Sequence, residues 1–393
     1  MFTMRYDLRE QLNPKRLSIA MWDYSWMHCH YPSGTYADFD RVTDELLERG
    51  FNTVRIDAFP WVIGQLTHPD EMTTVKGQPL ANWGPCDTDR KHAVAQELAE
   101  FMTITQRKGI SVILSTWGQT HPEHPDKNPD SFLRVWERTL SFLVERNLLT
   151  HVLYIDLDQE FPFFSAHSAQ LAKLGDVTND SGNAPDAMDA AGRRRAQRGL
   201  AWNDEQLDFV SDLFNRSIAH FQRLYPAQRF TFSLTGFWEE CRLLKLKCFD
   251  VLELHCWIHS PCFDNRTGFN DLTKNRGDHS YADYQRRIDA TLTSMRPMLV
   301  EEMHQRLATA AAWGKEIGAP VTTSEAWGPW WHMDHPDLRW DWLREWCTEC
   351  NQLAGQYGFW GSTPWNFSHP YWKNWDDVAW YRQVNHTFLG TVN

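Results

Sequence analysis

The sequence predicts an α/β fold, a (β/α)8 TIM barrel with long loops after its strands. Eight short apolar runs of strand length alternate with longer amphipathic stretches along the 393 residues. Glycines such as Gly109 and Gly318 stand just before some of these runs, where the C-terminal cap of a helix belongs. A doubly wound sheet is the alternative, but it usually has a glycine-rich phosphate turn after its first strand. That position reads Trp22-Asp23-Tyr24-Ser25-Trp26.

The strands are predicted from short runs of apolar and β-branched residues. They fall at residues 17–22, 52–57, 110–116, 152–158, 230–234, 251–256, 320–324 and 359–363. The helices are predicted from apolar residues that recur every three or four positions. They fall at residues 37–49, 89–108, 131–146, 204–224, 239–247, 299–317, 338–356 and 375–388. We expect one domain over residues 1–393, with a loop insertion at about 161–201, where Asp, Asn, Gly and Ala dominate.

The composition argues against several classes of protein. An apolar fraction of 42% is too high for a disordered chain, and no apolar run reaches the roughly 18 residues that span a bilayer. The net charge of −12 and the lack of a Lys/Arg stripe argue against a nucleic-acid binder. Residues 1–14 lack the apolar region of a signal peptide, so we expect a cytoplasmic protein, although a secreted one whose signal has been removed would look the same.

Tryptophan is unusually frequent, with 21 Trp beside 22 Phe and 11 Tyr. A hydrophobic core can be built from Leu, Ile and Val, so this excess needs another explanation. A flat apolar ring that carries one N–H donor suits the face of a sugar ring. The composition therefore favours a carbohydrate as the partner of this protein.

Polar and aromatic side chains collect at the C-terminal ends of the predicted strands. Because side chains alternate along a strand, apolar residues such as Val54 and Ile56 belong on the helix side, and the residues between them face the barrel interior. The interior set is Thr53, Arg55, Asp57, Ser115, Trp117, Tyr154, Asp156, Asp158, Glu160, Glu253, His255, Trp257, Thr323, Glu325, Gly361, Thr363 and Trp365. Barrel enzymes keep their chemistry at this end of the strands, so the pattern predicts an active site.

Glu160 and Glu325 are the candidate catalytic pair. They follow the fourth and seventh strands, so a closed barrel places them across the mouth from each other. One such carboxyl group can protonate the leaving oxygen of a glycoside while the other attacks the anomeric carbon. Acidic and aromatic neighbours should raise the pKa of Glu160, which suits a general acid. Arg55 and His255 should keep Glu325 ionised, which suits a nucleophile.

Four short motifs carry a resemblance to a known family. They read Asn52-Thr-Val-Arg55-Ile56, His255-Cys256-Trp257, Thr323-Ser-Glu325-Ala-Trp327-Gly328 and Ser362-Thr-Pro-Trp365-Asn366. The set resembles the retaining (β/α)8-barrel glycoside hydrolases of the cellulase-like clan A, over roughly residues 17–388. The resemblance implies an acid/base at the end of strand four and a nucleophile at the end of strand seven, which match Glu160 and Glu325. It also implies a reaction without a cofactor.

Two positions depart from the family pattern and suggest a divergent branch. The Asn that usually precedes the acid/base and holds the sugar 2-hydroxyl is Gln159, and the Tyr that supports the nucleophile after strand six is Trp257. Trp327, with Trp330 and Trp331, could form the wall of a sugar subsite or simply pack its loop. The complete set of predicted substrate-binding residues is Arg55, Asp57, Trp117, Asp158, Gln159, His255, Trp257, Trp327, Trp365, His28 and His30.

Other interpretations stay open. His28-Cys29-His30 after the first strand resembles the start of an amidohydrolase metal site, but strand five ends without His and strand eight without Asp. Cys347 and Cys350 form a C-x-x-C motif within a predicted helix, where ordinary reduced thiols are expected. A catalytically silent carbohydrate-binding barrel is a third class. The rival carboxylates to the catalytic pair are Glu239 and Glu240, which could instead begin a helix.

The long loops at residues 60–88, 161–201 and 260–284 could close the mouth into a pocket. A pocket favours an exo-acting enzyme on short glycosides, which either hydrolyses its substrate or transfers the glycosyl group. The expected partner is a carbohydrate, with no nucleic acid and no membrane. A homo-oligomer is compatible with the sequence.

Overall fold

Eight parallel strands form the barrel in the computed structural model, which describes residues 12–77, 84–175, 202–235, 238–269 and 281–390. The strands are β1 (Leu17–Asp23), β2 (Thr53–Asp57), β3 (Ser111–Ser115), β4 (Val152–Asp156), β5 (Phe230–Thr231), β6 (Leu252–Glu253), β7 (Val321–Thr323) and β8 (Gly361–Ser362). They pair in the order β5-β4-β3-β2-β1-β8-β7-β6. Backbone bonds from Leu234 N–H to the Glu253 carbonyl and from His255 N–H to the Leu234 carbonyl join β5 to β6, so the barrel closes and the predicted fold class is confirmed.

The helices surround the barrel and alternate with its strands. The α-helices are Ser25–His28, Phe39–Glu48, Pro60–Ile63, Val94–Lys108, Phe132–Val144, Ser168–Lys173, Asp204–Leu224, Pro261–Thr267, Tyr281–Ile317, Asp341–Gln356 and Val378–Gly390. Short 3-10 helices lie at Pro129–Ser131, Trp238–Leu243 and Lys373–Asp376. Within the described ranges, no helix combines the length and the apolar character that a membrane crossing requires.

Three predicted helices differ from the structure. The helix predicted from residue 89 begins at Val94, because Arg90–His92 pairs instead as an antiparallel strand with Thr73–Val75. The helix predicted at 239–247 is the 3-10 helix Trp238–Leu243, and the side chains of its two glutamates lie outside the described residues.

The third difference concerns the helix predicted at 299–317, which begins at Tyr281. A proline usually ends a helix, so the sequence prediction began after Pro297. In the structure Pro297 is exposed, and buried residues such as Ile288, Met295 and Leu299 continue one apolar stripe past it. Packing of this stripe holds the helix together across the proline.

Some of the predicted loops contain short elements. The loop predicted at 60–88 holds the helix Pro60–Ile63 and the strand Thr73–Val75, and the loop predicted at 260–284 holds the helix Pro261–Thr267. The insertion predicted at 161–201 contains the helix Ser168–Lys173. Its remainder from residue 176 to 201 lies outside the described residues.

Strand β7 does not follow the predicted alternation. Thr323 was expected to face the interior, but Thr322 and Ser324 bond there to the carboxylate of Glu253. The Thr323 hydroxyl instead donates to the carbonyl of Glu325. The alternation breaks just after the strand, because Glu325 also reaches the interior at its C-terminal end.

Candidate active site

The end of β4 presents Glu160 at the barrel mouth. The backbone N–H of Gln159 donates to the Thr116 carbonyl after β3, and the N–H of Glu160 donates to Oγ of Ser233 after β5. Glu160 has a φ of 48°, in the left-handed region that few side chains adopt. Anchors on both neighbouring strands therefore hold this turn in an unusual conformation. The side chain of Glu160 keeps 16% of its surface exposed, whereas that of Glu325 keeps 1%.

Two N–H donors hold one oxygen of Glu325. Nη2 of Arg55 and Nε2 of Gln159 both donate to Oε1 of Glu325. The other oxygen, Oε2, faces Nδ1 of His255 at 3.6 Å. A carboxylate held at one oxygen has a fixed plane, so its second oxygen points in a defined direction.

Asp23 at the end of β1 holds Arg55 in place. Nε and Nη2 of Arg55 each donate to one oxygen of Asp23, at 2.8 Å in both cases. Such a bidentate pair fixes the guanidinium in orientation as well as in position. Nε2 of Gln159 lies 3.5 Å from Oδ2 of the same carboxylate. Asp23 therefore contacts both of the side chains that donate to Glu325.

A second buried carboxylate, Glu253 on β6, is connected to this arrangement by hydrogen bonds. It accepts hydrogen bonds from the Tyr154 hydroxyl at 2.5 Å, from the Thr322 hydroxyl at 2.5 Å, and from both the backbone N–H and the hydroxyl of Ser324. Nη1 of Arg55 donates to the same Ser324 hydroxyl at 2.6 Å. Glu253 and each side chain that bonds to it thus have a hydrogen-bond partner, which a buried charge cluster needs to be stable.

His255 connects the two candidate catalytic carboxylates. Its Nδ1 lies 2.9 Å from Oε1 of Glu160, and its Nε2 lies 3.3 Å from Nη1 of Arg55. Burial lowers the pKa of His255, but the charge of Glu325 and the hydrogen bond to Glu160 outweigh it and raise this pKa to about 9. The protonated ring donates from Nδ1–H to Glu160. His255 therefore orients the Glu160 side chain toward Glu325.

The two carboxylates lie close together. One oxygen of Glu160, one oxygen of Glu325 and one nitrogen of His255 lie within 4.8 Å of one another. In the part of the chain that the structure describes, this is the one group of three side chains with the donor atoms and spacing to hold a metal ion. The positively charged Arg55 already bonds to one of its members, so the donor set suits a proton better than a second cation.

Burial controls the ionisation of Glu325. It raises the pKa of this carboxyl to about 8, although His255 and Arg55 lower it. The sequence led us to expect that Arg55 and His255 keep Glu325 ionised. The direction of their effect agrees with that expectation, but the loss of water around the carboxyl outweighs it.

Two of the predicted binding carboxylates lie away from this cluster. Asp57 accepts the backbone N–H groups of Phe59 and Trp117, each at 2.7 Å, and so ties the loop after β2 to the loop after β3. Asp158 interacts with Ser165 and Lys127. Burial raises the pKa of both carboxyls to about 7.

The two predicted histidines after β1 also lie apart from the catalytic pair. Nδ1 of His30 lies 2.7 Å from the Tyr36 carbonyl, and its ring stacks on Phe39. His28 is fully buried beside the rings of Tyr24 and Phe59, and burial lowers its pKa to about 3. In the described residues the two imidazoles belong to no cluster of metal ligands, which does not support the alternative of an amidohydrolase-like metal site.

Some of the tryptophans predicted to bind substrate are buried in the protein, and others are partly exposed. Trp327 is buried, with its indole N–H bonded to the Thr363 carbonyl. Trp365 is buried edge-on against His332, and Trp257 is buried beside His259. Trp117 is half-buried, in contact with Tyr24 and Phe164. The neighbours of Trp327 differ from each other: Trp331 is buried against Tyr281, and Trp330 keeps 38% of its surface exposed.

Sequence reasoning missed Asp23 and Ser324. Asp23 lies in phase with the apolar Leu17, Ile19 and Met21, so the rule that places apolar residues on the helix side would not have placed it in the interior. Ser324 was missed because it lies where the alternation of β7 breaks. Glu253 was placed in the interior without a role, and its role is to accept hydrogen bonds from Ser324.

Comparisons with known proteins agree with this architecture. Residues 19–389 match the model of a family described as cellulase-like, sugar-binding. A solved structure of a presumed glycoside hydrolase from Parabacteroides distasonis has 23% identity and a TM-score of 0.76, over 96% of this chain and 94% of that one. A family 5 mannosidase from Rhizomucor miehei has 12% identity and a TM-score of 0.47, over 96% and 94% of the two chains. Comparison with curated protein sequences gives no significant match.

Proposed function

Because the chain belongs to the sugar-binding cellulase-like family, we propose that it is a glycosidase that acts by a retaining double displacement. The spacing of the carboxylates carries this proposal, since oxygens of Glu160 and Glu325 lie within 4.8 Å of each other. Retaining glycosidases hold their carboxyl groups about 5–5.5 Å apart, and inverting ones about 6.5–9.5 Å apart. The narrow gap supports direct attack by a carboxylate over attack by an intervening water.

In the first step, Glu160 protonates the leaving oxygen and Glu325 attacks the anomeric carbon. Glu160 is the more exposed of the two, so its proton can be replaced from water. Oε1 of Glu325 is occupied by Arg55 and Gln159, which leaves Oε2 as the attacking oxygen. The C–O bond to the leaving group breaks while the bond from Oε2 to the anomeric carbon forms.

In the second step, Glu160 removes a proton from water, and the resulting hydroxyl replaces Glu325 at the anomeric carbon. The two inversions together restore the starting configuration. His255 holds Glu160 through Nδ1 in both steps, so it positions the carboxyl for both proton transfers. No residue in this scheme needs a cofactor.

The substrate of the proposed reaction is an oligosaccharide or a small glycoside, cleaved from one end, with transfer to a second sugar as a variant of the second step. The half-buried Trp117 and the exposed Trp330 offer aromatic surfaces at the mouth. Exo action predicts that a long polysaccharide releases one short product from the start. A ladder of intermediate lengths would contradict exo action without affecting the assignment of the two carboxylates.

Replacement of each carboxylate, with azide as an external nucleophile, tests the proposal. In Glu325→Ala, hydrolysis of an activated aryl glycoside should almost disappear, and azide should restore it as a glycosyl azide of inverted configuration. In Glu160→Ala the first step still proceeds with a good leaving group, so azide should give the retained product. Activity that survives in Glu325→Ala, or that depends on an added metal ion, would overturn the assignment.

A further inference from the structure

Two buried thiols lie in contact at one side of the barrel mouth. Sγ of Cys29 and Sγ of Cys86 are 3.5 Å apart, and both side chains are almost completely buried. Cys29 is the C-cap of the helix Ser25–His28 that follows β1. Cys86 lies 57 positions further along, in the connection that follows β2. The proposed glycosidase reaction uses neither of them.

The backbone on each side of the pair is fixed. The N–H of Cys29 donates to the Ser25 carbonyl, and the carbonyl of Cys29 accepts from the N–H of Tyr36. The N–H of Cys86 donates to the Gly84 carbonyl at 2.7 Å. An S–S bond is about 2.05 Å long, so the sulfurs need to approach by only about 1.5 Å.

The pair lies behind one wall of the mouth. The phenol of Tyr24 lies close enough to both cysteines to interact electrostatically with them, and its ring contacts the half-buried Trp117. Gly84, at a φ of +84°, packs close to Cys29, and a Cβ there would lie 3.2 Å from the ring of Tyr371. The loops after β1, β2 and β8 therefore meet at the two sulfurs.

We propose that Cys29 and Cys86 are a disulfide-forming pair, and that a low-molecular-weight disulfide such as oxidised glutathione closes it. One cysteine thiolate attacks the glutathione disulfide, and a first glutathione leaves as its thiol. The second cysteine thiolate then attacks the mixed disulfide, and the second glutathione leaves. The two protein thiols lose two electrons, the glutathione disulfide gains them, and the two thiol protons end on the released glutathiones.

The reaction is slow in the folded protein and accelerates at higher pH. Burial raises the pKa of the Cys86 thiol well above its usual value, so little thiolate forms near neutral pH. The oxidant reaches the sulfurs when the segment around Cys86 opens locally. Once closed, the bond links two loops that are 57 positions apart and thereby restricts the unfolded chain, which raises the midpoint of thermal unfolding.

The C-x-x-C pair of the sequence provides a matched control. Cys347 and Cys350 are both buried in the helix Asp341–Gln356, and burial raises the pKa of both thiols. Both pairs are therefore protected from solvent to a similar degree. A Cys350→Ser variant removes the second pair. It therefore tests whether the disulfide forms specifically between Cys29 and Cys86.

The experiment incubates the folded, fully reduced protein with oxidised glutathione, blocks the remaining thiols under denaturing conditions and maps the peptides by mass spectrometry. We expect one cross-linked peptide pair that contains Cys29 and Cys86 in the wild type, with six blocked cysteines, and in Cys350→Ser, with five, but no such pair in Cys29→Ser. We also expect the unfolding midpoint to rise by several degrees on oxidation. Eight blocked cysteines, or linkage of another pair, would overturn the proposal. The wild-type peptide map decides it even if Cys29→Ser fails to fold.

Discussion

The charge of Arg55 is shared among several buried groups. Two of its N–H groups bond to Asp23, one bonds to Glu325 and one bonds to Ser324. Asp23 thus neutralises part of the charge that would otherwise stabilise the ionised form of Glu325. Burial is the main reason that the pKa of Glu325 stays raised although a guanidinium contacts it, and the charge of Asp23 adds to this rise. A carboxylate with a high pKa is also a better nucleophile than a strongly stabilised one.

Replacement of Asp23 by Asn tests this role. Loss of the Asp23 charge lets Arg55 act more fully on Glu325, so the pKa of Glu325 should fall by about one unit. The rise of kcat/KM with pH, which reports ionisation in the free enzyme, should therefore move to lower pH. The measurement is the pH profile of kcat/KM for an aryl glycoside, in which the wild-type rise is expected near pH 8.

The matched control is Asp264→Asn, which removes another buried carboxylate that is paired with a histidine, His259. It should leave the position of the rise unchanged. If Asp23→Asn lowers thermal stability but the rise stays where it is in the wild type, then Asp23 has only a structural role.

The sequence predicted which residues lie at the site better than it predicted the contacts between them. Glu160, Arg55 and His255 could be predicted because they lie on the interior phase at or near the ends of their strands. Glu325 was predicted from an alternation that β7 does not follow, but the structure places it in contact with Arg55 and beside His255. The contact of Gln159 with Glu325 could not be predicted, because it depends on the positive φ of the residue that follows. This contact supplies a donor to Glu325 where the family pattern has the Tyr that Trp257 replaces.

Among the elements, strands β1 to β4 were predicted closely, whereas β5 and β6 are much shorter than predicted. Strands β1 to β4 differ from the prediction by one or two residues at their ends, whereas only two residues each of β5 and β6 form regular strand pairing. Beyond these short ladders the chain is held by single bridges, such as that between Cys256 and Ala326. An apolar pattern predicts an extended segment, but it does not show where regular pairing gives way to single bridges.

The loop after β7 contains a tryptophan that the structure leaves exposed. Trp330 is supported edge-on by Phe269, and its backbone N–H donates to Nε2 of His259. A fixed and exposed indole suits stacking on a sugar ring. Trp330→Ala should therefore raise KM several-fold for an oligosaccharide while KM for a small aryl glycoside changes little.

The control for this prediction is the neighbouring Trp331→Ala. Trp331 is buried, so its truncation should lower the free energy of unfolding by about 3–5 kcal/mol. Steady-state kinetics with substrates of increasing length and a thermal unfolding curve for each variant separate the two effects. An equal change of KM for every substrate length in Trp330→Ala would exclude stacking at this position.

The barrel fold can be predicted because the sequence repeats the alternation of strand and helix patterns. Eight alternations of strand and helix agree with one another, so an error at one helix, such as the late start assigned to Tyr281–Ile317, does not change the fold. The interior is also closely filled: a Cβ on Gly361 would lie 2.8 Å from Ile19 and 3.0 Å from Thr322. Such close packing is a property of the assembled barrel and leaves no local signal in the sequence.

The molecule holds several buried carboxyls that are protonated at mildly acidic pH. Burial raises the pKa of Asp158 from 3.8 to about 7. Protonated Asp158 therefore contributes its full stabilisation of the folded protein below about pH 3.8, and this contribution is lost as the pH rises through 7. Asp158→Asn has no such proton to lose. The unfolding midpoint of the variant should therefore increase relative to that of the wild type between pH 5 and pH 8.

An exposed control is Asp40→Asn. Arg107 lowers the pKa of Asp40, so this carboxyl is ionised throughout the range from pH 5 to pH 8 and its replacement should have a pH-independent effect. Thermal unfolding at several pH values measures both differences. A constant difference for Asp158→Asn would mean that Asp158 is already ionised in the folded protein at pH 5.

We have proposed that Glu325 attacks the anomeric carbon and that the overall reaction retains configuration. Proton NMR can identify the first product of the wild-type enzyme before the sugar equilibrates between its two anomers. The anomer formed first should have the configuration of the substrate. Initial formation of the opposite anomer would mean direct displacement by water and would overturn the assignment of Glu325 as the nucleophile.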